Sequence, residues 1–129
     1  MEEGKDEMID ITGKRVFLSG PMSGHYCYNV AAFATAHARL KEAGADWVFD
    51  PAVSYLRETR HESERHDHSE YMRRCLHELT RPQYERRDGN EYDLLVSLPG
   101  WRDSEGAATE RAVAQACGIG VCDLEEVFA

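Results

Sequence analysis

The chain has 129 residues, 42% hydrophobic and 30% charged, with 24 acidic against 15 basic side chains and a net charge of -9. This length suits one domain, the composition is that of a globular chain, and no run approaches the roughly 18 apolar residues of a membrane span. The acidic balance argues against a nucleic-acid polymer as partner, because such binding rests on neutralising phosphates; a small anionic ligand in a locally positive pocket remains compatible.

Residues 1–13 are polar and lack periodicity, which reads as a flexible leader ahead of a single domain over 14–129. No basic stretch followed by an apolar run marks them as a secretory signal, so the expected location is cytoplasmic. Cys27, Cys75, Cys117 and Cys122 form no C-x-x-C pair. They are expected to be reduced packing residues, without zinc.

Residues 14–19 (Lys-Arg-Val-Phe-Leu-Ser) are a short apolar run closed by Gly20-Pro21, the pattern of a buried strand ending in a turn. A loop over 20–28 follows. Asn29 is placed to cap a helix running to about Ala43. Its inward face would carry Val30, Phe33, Ala34, His37 and Leu40, with Gly44 as its stop. Trp47-Val48-Phe49 is a second strand, ended by Asp50-Pro51.

Most of 55–70 is polar with no amphipathic stripe and reads as a loop. Ser69 is placed to cap a second helix with Met72, Leu76 and Leu79 inward. A polar insertion over 81–91 contains Pro82 and Asp88-Gly89. Residues 92–98 (Tyr-Asp-Leu-Leu-Val-Ser-Leu) are the strongest strand, with Asp93 structural at its start, and Pro99-Gly100 ends it. Ser104 caps a third helix to about Cys117, residues 118–122 form a last strand, and Asp123 is placed to cap a short terminal helix.

Alternating elements with continuously apolar strands predict an α/β fold: a single-domain, Rossmann/flavodoxin-like three-layer sandwich on a four- to five-stranded parallel sheet. Ligands of such sheets bind beyond the carboxyl ends of the strands. The loops over 20–28 and 99–106 are therefore the places to look for a site.

The segment 98–110 (Leu-Pro-Gly-Trp-Arg-Asp-Ser-Glu-Gly-Ala-Ala-Thr-Glu) leads from strand to glycine-bearing turn to helix start. Free N–H groups and the helix dipole favour an anion there, and Ser104 adds a hydroxyl. Glu110 lies one helical turn beyond Gly106 and Ala107, whose small side chains leave its carboxylate approachable. A carboxylate so placed could attack an anomeric carbon; an ordinary exposed helix glutamate would give the same spacing.

Residues 16–24 (Val-Phe-Leu-Ser-Gly-Pro-Met-Ser-Gly), Tyr28-Asn29, Phe33, Asp50-Pro51-Ala52 and Leu98-Pro-Gly-Trp with Ser104, Gly106 and Glu110 together resemble the nucleoside 2-deoxyribosyltransferase-like superfamily. Within it, the chain is similar to a bacterial and phage branch known only as a domain of unknown function. The resemblance covers roughly residues 14–122. It implies cleavage or exchange of the N-glycosidic bond of a (deoxy)nucleoside or its 5′-monophosphate, with Glu110 as nucleophile. It further implies that Ser104 touches the 5′ group, and that Phe17, Gly20, Met22 and Gly24 line the sugar and base. No cofactor is implied.

Three departures accompany the resemblance. A tyrosine is common in the family where Phe17 stands. Pro21 and Ser23 replace the serine and arginine that bind phosphate in monophosphate N-glycosidases. Tyr71-Met-Arg-Arg-Cys75-Leu76 places Cys75 where the family carries an aspartate that contacts base or ribose; Glu70 and Glu78 are possible substitutes, and a buried inert thiol is the simpler reading of Cys75.

Arg73, Arg74 and Arg102 could meet phosphate or be plain solvated charges. Trp101 could stack on a base or serve a subunit contact. His25 is a site candidate beside the first loop, whereas His61, His66 and His68 read as part of a polar loop rather than a metal site. A site at the edge of such a small sheet is shallow, and the resemblance implies completion across a subunit interface, so a homodimer or higher homo-oligomer is expected. The rival from another class is a catalytically inactive nucleotide-binding module, a sensor or sponge. A third, ranked last, is a phosphoribohydrolase of the P-G-G-x-G-T-x-x-E type, whose spacing is stretched here.

Overall fold

The structure, a computed structural model, describes residues 8–22, 29–53 and 68–128. The elements are β1 (Arg15–Ser19), α1 (Val30–Glu42), β2 (Trp47–Phe49), α2 (His68–Leu79), β3 (Leu94–Ser97), a 3-10 turn (Trp101–Asp103), α3 (Glu105–Ala116), β4 (Gly120–Asp123) and α4 (Leu124–Val127). The strands form one parallel sheet in the order β2-β1-β3-β4. The chain moves outward from β1 to β2, then returns past β1 to build β3 and β4. The order thus reverses between β1 and β3, where a crevice opens at the carboxyl ends.

Strand alternation sends side chains to two cores. Val16, Leu18 and Val96 pack under Phe33, Ala36 and Leu40 of α1 and Val127 of α4. Phe17 and Leu95 pack on the opposite face under Cys75 and Leu79 of α2 and Ala114 of α3. Helices on both faces explain why β1 and β3 are apolar throughout rather than alternating. This is the expected three-layer α/β sandwich with four strands. Among the described residues no helix is long and apolar enough to cross a membrane.

Several local readings shift. Asn29 stands at the start of α1 in a left-handed conformation (φ 66°) and makes no capping bond. Its Nδ2 instead donates to the Pro21 carbonyl at 2.9 Å, tying the start of α1 to the loop after β1. Ala36, not Ala34, completes the buried face of α1. Helix α2 has begun by His68, so Ser69 lies inside its first turn rather than before it. Its deepest ridge is Cys75 and Leu79, flanked by Tyr71 and Leu76, while Met72 is half-buried. Ahead of β1, Ile11 is 1% exposed and the Ile9 N–H donates to the Glu126 carbonyl, so this end of the expected leader packs against the domain. Cys75 and Cys122 are buried, but Cys117 is exposed.

The amino ends of the strands carry a structural ion network. Asp93 accepts from the Arg15 backbone N–H at 2.9 Å and pairs with Arg86. Arg15 pairs in turn with Glu91. The Asp93 role expected from the sequence is the one observed.

Candidate functional site

Ser19, Ser97 and Asp123 end β1, β3 and β4 and stand in register across the sheet. Three small polar residues therefore form a row at the carboxyl edge, and α3 lies against it. Ser104 begins that helix as expected, its Oγ accepting from the Ala107 N–H at 3.2 Å. The helix buries Ala107, Glu110 and Ala114, spaced three and four residues apart. A stripe with that spacing is an ordinary core-facing stripe, except that its central member is a carboxylate.

Glu110 is 3% exposed. The Ser19 hydroxyl donates to its Oε1 at 2.6 Å, and the Cys75 thiol donates to the same carboxyl. Burial pushes the carboxyl up to about 7, with the Ser19 and Cys75 hydrogen bonds opposing that rise. The Cys75 thiol is pushed well above the ordinary range, first by burial and then by the charge of Glu110. It therefore stays protonated and serves as a donor.

Arg111, the next residue, takes the rest of the polar row. Its Nη1 donates to Ser97 Oγ at 3.0 Å and to Asp123 Oδ1 at 2.8 Å. The Trp101 indole N–H shares Asp123 Oδ1 at 3.0 Å, and the Arg111 guanidinium lies 4.3 Å from the centre of its ring. Glu110 and Arg111 thus divide the strand ends: Glu110 goes to β1, and Arg111 goes to β3 and β4.

A cleft of about 270 Å³, counting its open mouth, lies over Glu110. Gly20, Met22, Tyr71, Ser104, Gly106 and Ala107 form the rest of its wall. A Cβ at Gly20 would come within 2.7 Å of Leu98 Cβ, so a glycine is what lets the first loop close over the end of β3. The first turn of α3 faces this space through Ser104, Gly106 and Ala107. It presents N–H groups and the positive end of a 12-residue helix.

Of the residues singled out from the sequence, Glu110, Gly20, Met22, Ser104 and Gly106 meet around this cleft. Cys75 lies behind Glu110 in the core beneath. Phe17 does not reach the cleft. It faces the same way as Ser19 but two residues earlier, is wholly buried, and stacks on Phe49 with ring centres 5.0 Å apart. Trp101 is held over Arg111 at the β4 side rather than in the cleft wall. Arg102 lies over the same indole ring, its Cζ 4.6 Å from the centre. Arg73 and Arg74 point to solvent, Arg74 toward Glu70 at 3.9 Å. Gly24, His25, His61 and His66 lie outside the described residues. Among the described residues no group of three His, Cys, Asp or Glu side chains is arranged to hold a metal ion.

Sequence reasoning gave no part in the site to Ser19, Tyr71, Ser97 or Arg111, and gave Asp123 only the cap of the terminal helix. The Tyr71 hydroxyl rests against Met22 Sδ and the Cys75 sulfur, closing the wall on the α2 side. A usable signal for Ser19 existed: a hydroxyl residue ends an otherwise apolar parallel strand just ahead of a Gly-Pro turn.

The sequence model of a family described as a domain of unknown function, DUF4406, matches residues 14–123. No curated protein and no solved structure matches the chain.

Proposed function

The chain belongs to the DUF4406 family, and from its cleft we propose that it cleaves or exchanges the N-glycosidic bond of a (deoxy)nucleoside or its 5′-monophosphate, with Glu110 as nucleophile. The supporting observation is the placement of Glu110. A carboxylate on the core stripe of α3 is unfavourable for folding, yet it lines a cleft at the carboxyl edge of the sheet and receives two hydrogen bonds.

In this mechanism the ionised Glu110 attacks C1′. The C1′–N bond breaks, its electron pair leaves with the base, and the base takes up a proton. The resulting glycosyl ester is attacked at C1′ by water or by a second base, and Glu110 is released. Ser19 and Cys75 favour the ionised form by donating to it. The first turn of α3, with Ser104, receives the 5′ hydroxyl or phosphate. A second copy of the chain, completing the open side of the cleft, is part of the same proposal.

One observation favours a second reading, a nucleotide-binding module without turnover. Cys75, at the position where the resembled superfamily carries an aspartate, is a buried protonated thiol and supplies no second carboxylate.

The deciding experiment incubates the protein with a panel of deoxy- and ribonucleosides and their 5′-monophosphates, with and without an added free base. Base release is followed by chromatography, with Glu110→Gln alongside. Release by the wild type that the variant loses supports the enzyme, and exchange with the added base marks a transferase. No release across the panel, with nucleotides still raising the melting temperature, supports the binding module.

A further inference from the structure

The Ser19–Glu110 contact is a built device rather than a surface pairing. Ser19 is wholly buried at the end of β1, Glu110 is buried on α3, and they are 91 residues apart in sequence. Their oxygens lie 2.6 Å apart, within the short range of hydroxyl-to-carboxylate bonds. A serine hydroxyl can donate one proton only, and here it goes to Oε1. An apolar residue would fill this position of β1 equally well and would continue the run of Val16, Phe17 and Leu18.

The groups facing Glu110 from the packed elements are Ser19 from β1 and Cys75 and Tyr71 from α2. Arg111 is turned away to Ser97 and Asp123. Among the described residues, therefore, no cation is seen to balance the carboxylate, and the groups that stabilise it as an anion are neutral donors.

We propose that Ser19 is a positioning residue for Glu110: its hydroxyl holds the carboxylate in one orientation toward the cleft and favours its ionised form. For the rate of the reaction, this role rests on the reading of Glu110 as nucleophile. For orientation and ionisation it stands on the contact alone.

The test uses Ser19→Ala, which removes the donor with little change of volume, and Ser19→Cys, which keeps a weaker one. The side-chain carboxyl of Glu110 is titrated by carbon-13 NMR in each full-length protein, with Glu110→Gln identifying its signal. The midpoint is expected to rise by about 1 to 2 pH units in Ser19→Ala, the size of a lost hydrogen bond to a charged group, and by less in Ser19→Cys. The acidic limb of base release should move with it, lowering kcat at pH 6 by roughly ten- to a hundredfold with KM little changed. A midpoint unmoved in both variants overturns the proposal. A midpoint that moves while no variant and no wild type releases base upholds the Ser19 role and counts against the glycosidic reading. If Ser19→Ala fails to fold, the Ser19→Cys titration decides alone, because a purely structural Ser19 would leave the midpoint where it was.

Discussion

The Cys75 thiol and the Glu110 carboxyl meet across the packing of α2 on α3, and each alters the other. Cys75→Asp would place a second carboxyl against the first in a buried site. Two such groups cannot both ionise freely, so the pair would hold one proton well above the ordinary range. At pH 8, where the unfolded chain has given up both protons and the folded pair cannot do so freely, the variant should melt about 5–10 °C below wild type. At pH 6, where the pair keeps a proton to give to a leaving base, base release should be faster than in wild type. Thermal melts at the two pH values and base release at pH 6 check both halves.

Glu110 also sets a pH dependence of stability. Its folded carboxyl lies at about 7 against an ordinary 4.5, so the folded state holds this proton more tightly than the unfolded chain. Below about 4.5 both states are protonated and this contribution is complete. As pH rises toward 7 the unfolded chain releases its proton first, and stability falls by something on the order of 3 kcal/mol. Glu110→Gln removes that loss. The variant should match wild type near pH 4 and melt higher at pH 8, while losing at least about a thousandfold in base release. Equal pH profiles of melting for the two proteins would show that Glu110 is not buried in solution.

The parts of the fold with strong local signals could be read before the structure. Continuous apolar runs gave the β1 and β3 regions, and Ser104 marked the start of α3, whereas the last strand begins at Gly120 rather than at Gly118. What could not be read depended on choices made between segments. Asn29 has the chemistry of a cap, but its side chain finds the Pro21 carbonyl instead. Ala36 is a core residue because α1 lies close to the sheet, and one alanine among several leaves no periodic trace.

The site divides in the same way. Glu110 was visible because its spacing from Gly106 and its family resemblance agreed. Phe17 drew attention by resemblance, yet Ser19, about 7 Å further along the same face of the strand, is the residue that touches the carboxylate. A hydroxyl at a strand end reads as the start of a turn. Its partner 91 residues away is known only once α3 is laid against β1.

Gly20 tests how tightly the first loop must close. Its missing side chain is what the Leu98 side chain occupies, with Cβ to Cβ at 2.7 Å and Leu98 itself 2% exposed. Gly20→Ala should destabilise the protein by about 1–3 kcal/mol, the usual range for overpacking. The shift must be taken up by the backbone of β1 or β3, because the nearest atom is a Cβ rather than a mobile side-chain end. Since Ser19 precedes Gly20, base release should fall as well. Urea unfolding and the panel assay on the same preparation check this, and a variant as stable as wild type would show that the loop has room to move.

Ser104 separates a helix-capping role from a phosphate-binding one. Its Oγ accepts from the Ala107 N–H at 3.2 Å and also lines the cleft. Ser104→Ala removes the acceptor and should cost about 1 kcal/mol of stability. Ser104→Asp keeps an acceptor at the cap and places a negative charge at the positive end of α3, so its stability should equal or slightly exceed wild type. The same charge would repel a 5′-phosphate seated on that helix end, while an uncharged 5′ hydroxyl would be tolerated. With Ser104→Asp, KM should therefore rise by roughly tenfold or more for 5′-monophosphates and change little for nucleosides, consistent with a charge pair of at least 1.4 kcal/mol in a partly buried site. Equal changes for both substrate classes would place the phosphate elsewhere in the cleft and leave Ser104 as the cap of α3 alone.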